Sequence, residues 1–336
     1  MRKVRYAFII VAALTAALFV LNIFMGSVRI PWREVSAVLL GGDGVSDPAI
    51  RFIVVESRLP QAVTALLAGA ALAVSGLMLQ TSLRNPLAGP SILGISAGAG
   101  LGVAVVMLLF GGSVALGSIS VGGRTAVLLG ALAGSLLIMA LLLLLSSWLR
   151  NTLMLLIAGI MLGYLTSSLI TLLNFSSTAE GVHGYTIWGM GTFNSVSMRQ
   201  MPLFAGVSIA GLILSVMLIK PLNLMILGDN YARNLGLNLM RTRNLLLFAT
   251  GVLTAVATAY CGPVSFIGLA VPHIARIIFR RDDHRVLLPA TIVLGGAVAL
   301  LCNLICVAPS DSMLPLNAVT PLIGAPVIIY VIVKRR

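Results

Sequence analysis

Ten apolar stretches follow one another along 336 residues, with only short polar intervals between them. They fall near 6–26, 58–80, 91–110, 125–146, 152–174, 201–219, 244–261, 263–279, 286–306 and 318–333. Crossing a bilayer as a helix takes about 20 apolar residues. Backbone at that depth must satisfy its own hydrogen bonds, which leaves helices as the fitting element for stretches of this length. The chain is 59% hydrophobic and 9% charged, with a mean hydropathy of +1.08. A soluble protein of this size needs far more polar surface to cover its core. The fold expected is therefore an all-α polytopic membrane protein, one domain over 1–336 with about ten transmembrane helices and both termini on the same side. The stretches at 91–110 and 263–279 are the least regular, being short or interrupted by Gly and Pro.

Charge fixes an expected orientation. With the N-terminus inside, sixteen of the 22 Lys and Arg fall at cytoplasmic ends or loops, and only Arg29, Arg33, Arg51, Arg58, Arg124 and Arg199 fall outside. The positive-inside rule then places both termini in the cytoplasm. The same bias accounts for the net charge of +13 without a nucleic-acid partner, which would require the cations on one soluble face. The start of the chain is basic and then apolar, as a signal peptide is. Its apolar part runs for about 19 residues with no Ala-x-Ala site behind it, so it reads as an uncleaved first span. Cys261, Cys302 and Cys306 sit in or beside apolar spans and read as buried small residues. Cys302 and Cys306, one helical turn apart, are poorly placed for a disulfide.

Several function classes are excluded by what is missing. None of the nine acidic residues stands in the middle of a span, so no carboxylate relay of the kind used in ion-coupled transport is present. No Gly-Lys-Ser/Thr phosphate loop occurs among the three lysines. There is no His-Glu-x-x-His and no Gly-x-Ser-x-Gly, and His183, His273 and His284 are not spaced as metal ligands. Neither an enzyme nor a nucleotide-driven motor is expected within this chain, and no cofactor or metal is expected on it.

Two polar segments stand out. Arg84-Asn85-Pro86-Leu87-Ala88-Gly89-Pro90 interrupts two apolar stretches and is followed by the small-residue run Ser91 to Gly100. Irregular backbone at that depth is tolerated where protein or a water-filled cavity surrounds it. The segment thus reads either as the wall of a permeation path or as a helix–helix turn before a small-residue packing face. The second segment, Lys220 to Arg243, is divided by Gly228 and Gly236. Asp229 is placed to start a short helix over 230–235, which Gly236 can stop. Leu224, Leu227, Tyr231, Leu235 and Leu239 recur every three or four residues, a pattern that suits docking into a partner's groove or lying on lipid. A basic cluster, Arg276 to Arg285, reads as positive-inside anchoring, with His273 as a hydrogen-bonded structural histidine.

At these residues the chain resembles the FecCD-like permeases of bacterial ABC importers, which take up ferric siderophores, haem and cobalamin. The matching stretches run in the family's order. They are Arg58-Leu59-Pro60, Gly69 to Gly76, Arg84 to Ala88, Gly94 to Ala99 and Ile187-Trp188-Gly189-Met190-Gly191. They continue with Gly262 to Leu269, Val271 to Arg276, Asp283 to Pro289 and Leu322 to Pro326. The resemblance implies the type II importer permease fold, a homodimer with the path along its interface, two cytoplasmic ATPase subunits that hold the ATP and magnesium, and an extracytoplasmic binding protein. It implies that Asn85 and Leu87, with Asn151 and Thr152, form the cytoplasmic constrictions. It places the ATPase contact on the segment from Leu227, through Gly228, Asp229, Ala232, Leu235, Gly236 and Leu237. It sets Arg58, and more weakly Arg51, at the outer mouth facing a carboxylate of the binding protein. The path is expected to be lined by weakly polar groups such as Ser91, Ser96, Ser167 and Ser168.

Departures from the family pattern lie on the outer side. Gln61 replaces the second arginine of Arg-Leu-Pro-Arg, and Cys302 and Cys306 stand where an Asp and an Arg are common. Met313 to Asn317 replaces Glu-x-Pro-x-Gly. The function expected is ATP-driven import in the bacterial inner membrane, with the cargo open among iron chelate, haem and cobalamin and iron chelate favoured on the breadth of the family. The alternative is an ion-gradient-driven secondary transporter of a small solute.

Overall fold

A computed structural model describes residues 2–40, 47–116, 119–149, 152–309 and 313–334. Asn151, expected in a cytoplasmic constriction, lies outside the described residues. The chain runs α1 (Arg2–Phe24), α2 (Trp32–Leu40) and α3 (Pro48–Phe52), then a π-helical segment (Ile53–Arg58) into α4 (Leu59–Ser82). After a break come α5 (Ile95–Ala104) with a π-helical extension (Val105–Leu109), a hairpin of β1 (Ser113–Leu116) and β2 (Ile119–Gly122), α6 (Gly123–Trp148), α7 (Thr152–Phe175) and α8 (Ala179–Met190). The second half holds α9 (Met201–Met217), α10 (Ile219–Ile226), α11 (Asp229–Asn234), α12 (Leu239–Cys261), α13 (Ile267–Phe279), α14 (His284–Val307) and α15 (Leu316–Lys334).

The expected ten spans are present as helices. Six helices are long and apolar enough to cross a membrane, and α9 with α10 forms a seventh unit bent by 49°. Three shorter apolar helices, Ile95–Leu109, Ile267–Phe279 and Leu316–Val331, occupy the remaining places. Two of these are the stretches that Gly and Pro interrupt. The hairpin, antiparallel with Ser113 opposite Gly122, was not expected from the sequence. It fills the turn between α5 and α6.

Local chemistry sets the helix ends. The Asp47 carboxylate accepts from Ala49 N–H at 2.8 Å, the Asn238 amide oxygen from Arg241 N–H at 3.0 Å, and the Asp283 carboxylate from Arg285 N–H at 2.9 Å. Each satisfies a donor that a helix start leaves open. The centre of the bundle is α4, whose most apolar stretch is 83% buried, flanked by α12 at 78% and α14 at 67%. By contrast, α7 is only 22% buried and α1 only 28%; the outward face of α1 is mainly apolar, whereas that of α7 mixes Leu, Ile and Met with Ser167, Ser168 and Thr171.

Glycines decide how closely the central helices approach. A Cβ added at Gly69 would strike the carbonyl of Gly295 on α14, and one at Gly76 the carbonyl of Gly268 on α13. On the other side of the bundle, Gly98 and Gly102 of α5 lie in the same way against Gly134 and Gly130 of α6. The small-residue run after the break is therefore a packing face, as one of the two sequence readings held. Gly76→Ala forces backbone apart and should destabilise the fold by about 1–3 kcal/mol or more. Gly206→Ala, where a Cβ meets nothing, should be neutral. Thermal unfolding of the two variants in detergent checks this, and equal midpoints would refute the crossing argument.

Candidate translocation gate and coupling site

The break after α4 is short and held at every turn. Arg84 adopts a left-handed φ of +48° and ends the helix. The Asn85 side chain accepts from Leu87 N–H at 2.9 Å, and Asn85 C=O accepts from Ala88 N–H at 3.0 Å, an Asx turn of the kind Asn favours. The Pro86 carbonyl accepts from His273 Nε2 at 2.8 Å. His273 is buried on α13, and in this contact it acts as the structural histidine expected. Pro90 abuts Gly268, Leu93 abuts Gly159, and Gly94 sits against Gly159 and Gly163 of α7. The break is thus clamped between α13 and α7. The amide of Asn85 is used within the turn, whereas Leu87 projects with 43% exposure. Thr152, at the start of α7, lines a cavity of about 280 Å³ together with Ser82, Asp229, Arg233 and Arg243. Asn151 lies outside the described residues.

The segment expected to meet the ATPase is divided as its glycines suggest. Gly228 has φ +107° and Gly236 φ +84°, conformations that favour glycine. The starting role expected for Asp229 is corrected. Gly228 occupies the cap position and Asp229 is the first helical residue, because its carboxylate is engaged elsewhere. It accepts from Arg84 Nη2 at 2.5 Å, which ties α11 directly to the break. Leu227, Tyr231 and Leu235 stand exposed. Ala232 is buried beneath them, and Leu237 packs half-buried on the core.

A polar web that sequence reasoning did not find holds this end of the bundle. The Asn223 side chain on α10 accepts from His284 N–H at 2.8 Å and from His284 Nδ1 at 2.9 Å, and donates to Asp283 at 2.7 Å. His284 Nε2 meets Thr81 Oγ1 of α4 at 2.9 Å. Arg276 on α13 donates to Gln80 Oε1 at 2.7 Å and pairs with Asp282 at 3.5 Å. The Gln80 amide donates to Leu269 C=O at 3.2 Å. The Arg285 backbone N–H and then the Asn223 amide hold the Asp283 carboxyl below the usual carboxylate range. This contact therefore persists above that range and is lost only as pH falls through the lowered value. Arg243, counted in the sequence as one more inside cation, is buried and donates to Ser146 C=O and Leu149 C=O at the end of α6.

The opposite end of α4 brings the main correction. Arg58 was expected at the rim, facing a partner carboxylate. It is 3% exposed and donates to the carbonyls of Ile23, Phe24 and Val28 at 3.1, 2.9 and 2.5 Å. The end of α1 leaves carbonyls unpaired, and the guanidinium fork reaches several of them at once. Arg51 is exposed. Ser96 is also corrected, since it is buried against Thr258 Oγ1 at 3.3 Å, whereas Ser91, Ser167 and Ser168 are exposed.

The departures noted in the sequence have structural replacements. Gln61 donates to Asn303 Oδ1 at 3.1 Å, and Asn303 donates to Asn22 Oδ1 at 2.7 Å. This forms a neutral amide chain across α4, α14 and α1, beside the buried Cys302. Asn317 donates to Gly189 C=O at 2.8 Å and Pro263 C=O at 2.6 Å, joining the Trp-Gly-Met-Gly and Gly-Pro-Val-Ser stretches. Asn22 and Asn303, lone amides inside apolar runs, were the available sequence signal.

With this geometry in hand, the similarities to known proteins are extensive. The family model of the FecCD transport family matches residues 14–334. The vitamin B12 import system permease protein BtuC of Escherichia coli O9:H4 (strain HS) is 38% identical over 293 residues, 86% of either chain. The BtuC protein of Salmonella paratyphi A is 39% identical over 280 residues, 83% of either chain. A solved ABC transporter described as of metal-chelate type, in an inward-facing conformation, superposes with a TM-score of 0.84 at 28% identity, covering 98% of this chain and 99% of the other. The chain therefore belongs to the FecCD transport family and is a multi-pass ABC importer permease.

Proposed function

We propose that this chain forms, as a homodimer, the translocation path of an ATP-driven importer in the bacterial cytoplasmic membrane, with both termini cytoplasmic. Two ATPase subunits dock under α10 and α11, and a binding protein delivers cargo on the far side. The observation that carries the reading is the Arg84–Asp229 pair. It joins the exposed strip Leu227, Tyr231 and Leu235 to the break that bears Asn85 and Leu87. A rigid displacement of α10–α11 by the ATPases then moves the break and, through Asn223 and His284, the end of α4. Two arrangements of packed helices, biased by nucleotide below and binding protein above, give alternating access.

The exposed face of α7 supports the dimer. It mixes Leu165, Leu169 and Leu172 with Ser167, Ser168 and Thr171. Hydroxyls are poorly suited to lipid but suit a wet interface that must let a bulky solute pass without holding it. Cargo of the metal-chelate class fits such a wall. Among iron chelate, haem and cobalamin, the identity to vitamin B12 import permeases favours cobalamin.

Co-expression with an ABC ATPase and binding protein, reconstitution in liposomes and labelled cobalamin uptake test the whole reading. ATP-dependent uptake is expected, insensitive to uncouplers. Uptake that is driven by an imposed ion gradient, collapses on adding an uncoupler and needs no ATPase would overturn it in favour of a secondary transporter. Within that assay, Asp229→Arg should lower uptake about tenfold while ATP hydrolysis continues. The double variant Arg84→Asp with Asp229→Arg should restore it. The pair is half-exposed, and losing it costs at most about 1 kcal/mol; an unchanged thermal midpoint of Asp229→Arg, measured alongside, separates uncoupling from unfolding.

The correction at the outer end yields a separate expectation. Arg51→Glu should slow docking of the binding protein about tenfold at low salt and hardly at all at high salt, as for a rim charge. Arg58→Glu should instead lower the thermal midpoint by removing donors from buried carbonyls. Surface-plasmon binding and thermal unfolding of both variants decide the assignment. Docking lost with Arg58→Glu at an unchanged midpoint would reverse it.

A further inference from the structure

Where α1 begins and α13 ends, the bundle leaves a cavity of about 580 Å³ that the transport reading does not use. Lys3, Arg280 and Arg281 line it, with Val4, Ala7 and Phe279 as its floor, and no acidic side chain lines it among the described residues. The adjacent Asp282 pairs instead with Arg276. Phe8 and Phe279 lie ring to ring at 4.6 Å beneath it and keep the floor closed. Arg280 ends α13 with a left-handed φ of +50°, a conformation that a residue other than glycine holds at a cost. It sets Arg280 and Arg281 beside Lys3 rather than continuing the helix. From Lys3, the positions Ala7, Ile10 and Leu14 follow along one face of α1, and Ile10 and Leu14 are well exposed. Three cations above an apolar track that starts in the first turn of a span form an amphiphilic receptor rather than a simple charged rim.

We propose that this cavity binds an anionic diacyl phospholipid, its phosphate held by Lys3, Arg280 and Arg281 and one acyl chain laid along Ala7, Ile10 and Leu14. Basic pockets between spans are suited to anionic headgroups. A soluble phosphate would leave the apolar track unused, and an acidic protein surface would have to cover it with side chains at membrane depth. The lipid fits α1 to α13, elements that the sequence joins only through the whole intervening chain. Bound lipid would therefore brace the first span against the bundle.

Native mass spectrometry of the full chain in mild detergent tests the site, with phosphatidylglycerol and phosphatidylcholine as probes. Phosphatidylglycerol should be retained about tenfold better than phosphatidylcholine. Each cation near an anionic lipid contributes roughly fivefold in affinity, so Lys3→Gln with Arg280→Gln and Arg281→Gln should cut retention by about a hundredfold. The variant Lys3→Arg with Arg280→Lys and Arg281→Lys should keep it, which separates charge from local unfolding. Removing three cations outside the cavity, Arg5→Gln with Arg285→Gln and Lys334→Gln, should change it less than about twofold. Equal losses in the two neutralised variants would overturn the site in favour of diffuse attraction. Displacement by millimolar inorganic phosphate would show a soluble-anion site instead, and equal retention of the two lipids would show an apolar cavity only.

Discussion

Helices in hydrocarbon gain little by hiding leucine against leucine, since the lipid tails are as apolar as the side chains. What they gain is close contact, and here glycine sets how close. Gly69 against Gly295 and Gly76 against Gly268 bring α4 to backbone distance from α14 and α13, while Gly98 and Gly102 do the same for α5 against Gly134 and Gly130. Everything else in the bundle is placed by these crossings. Because α4 is seated on both α13 and α14, the polar ends of all three meet at one place. Because α5 is seated on α6, the break that precedes it has a fixed far end.

That placement makes the polar web possible. Thr81, Gln80 and Arg84 leave the end of α4 within a single turn, and each finds a different partner: His284 of α14, Arg276 of α13 and Asp229 of α11. A push on α10 or α11 therefore reaches α4 and α14 through Asn223 and His284, and reaches the break through Arg84. The bend of 49° between α9 and α10 is what lets the short helices lie across this end. The inner contacts of the web, among Asn223, His284, Thr81 and Gln80, are neutral, and each of the ion pairs Arg84–Asp229 and Arg276–Asp282 has a carboxylate that is half-exposed or more. Buried ion pairs carry a large desolvation penalty, whereas amide, hydroxyl and imidazole contacts can re-form in a second arrangement at lower cost.

How much of this could be read in the sequence depends on the range of the interaction concerned. Spans, the break at residues 84–90 and the division of the coupling segment at Gly228 and Gly236 are local matters of hydropathy and backbone freedom, and they stand where the sequence put them. Asp229 was misread because a cap is a local inference, and its carboxylate is taken by Arg84, 145 positions away. Arg58 was misplaced for the same reason. An arginine at the end of a span looks like a rim charge until the unpaired carbonyls of Ile23, Phe24 and Val28 are folded over it. His284 gave no signal beyond a motif match and Asn223 gave none at all, because each has its partners far away in the sequence.

The end of the bundle opposite the web is joined, among the described residues, without charge pairs. At the positions where the resemblance implies an Arg and an Asp–Arg pair, this chain has Gln61, Cys302 and Cys306, and the connection across α4, α14 and α1 is made by the amides of Gln61, Asn303 and Asn22. An amide both donates and accepts, so three of them in series satisfy one another without burying net charge. The same solution recurs at Asn317, which reaches two carbonyls in stretches that would otherwise leave them exposed inside the bundle. Arg58, the cation buried at this end, spends its donors on the carbonyls at and after the end of α1, so the exposed Arg51 can vary without disturbing the amide chain or the seat of α1.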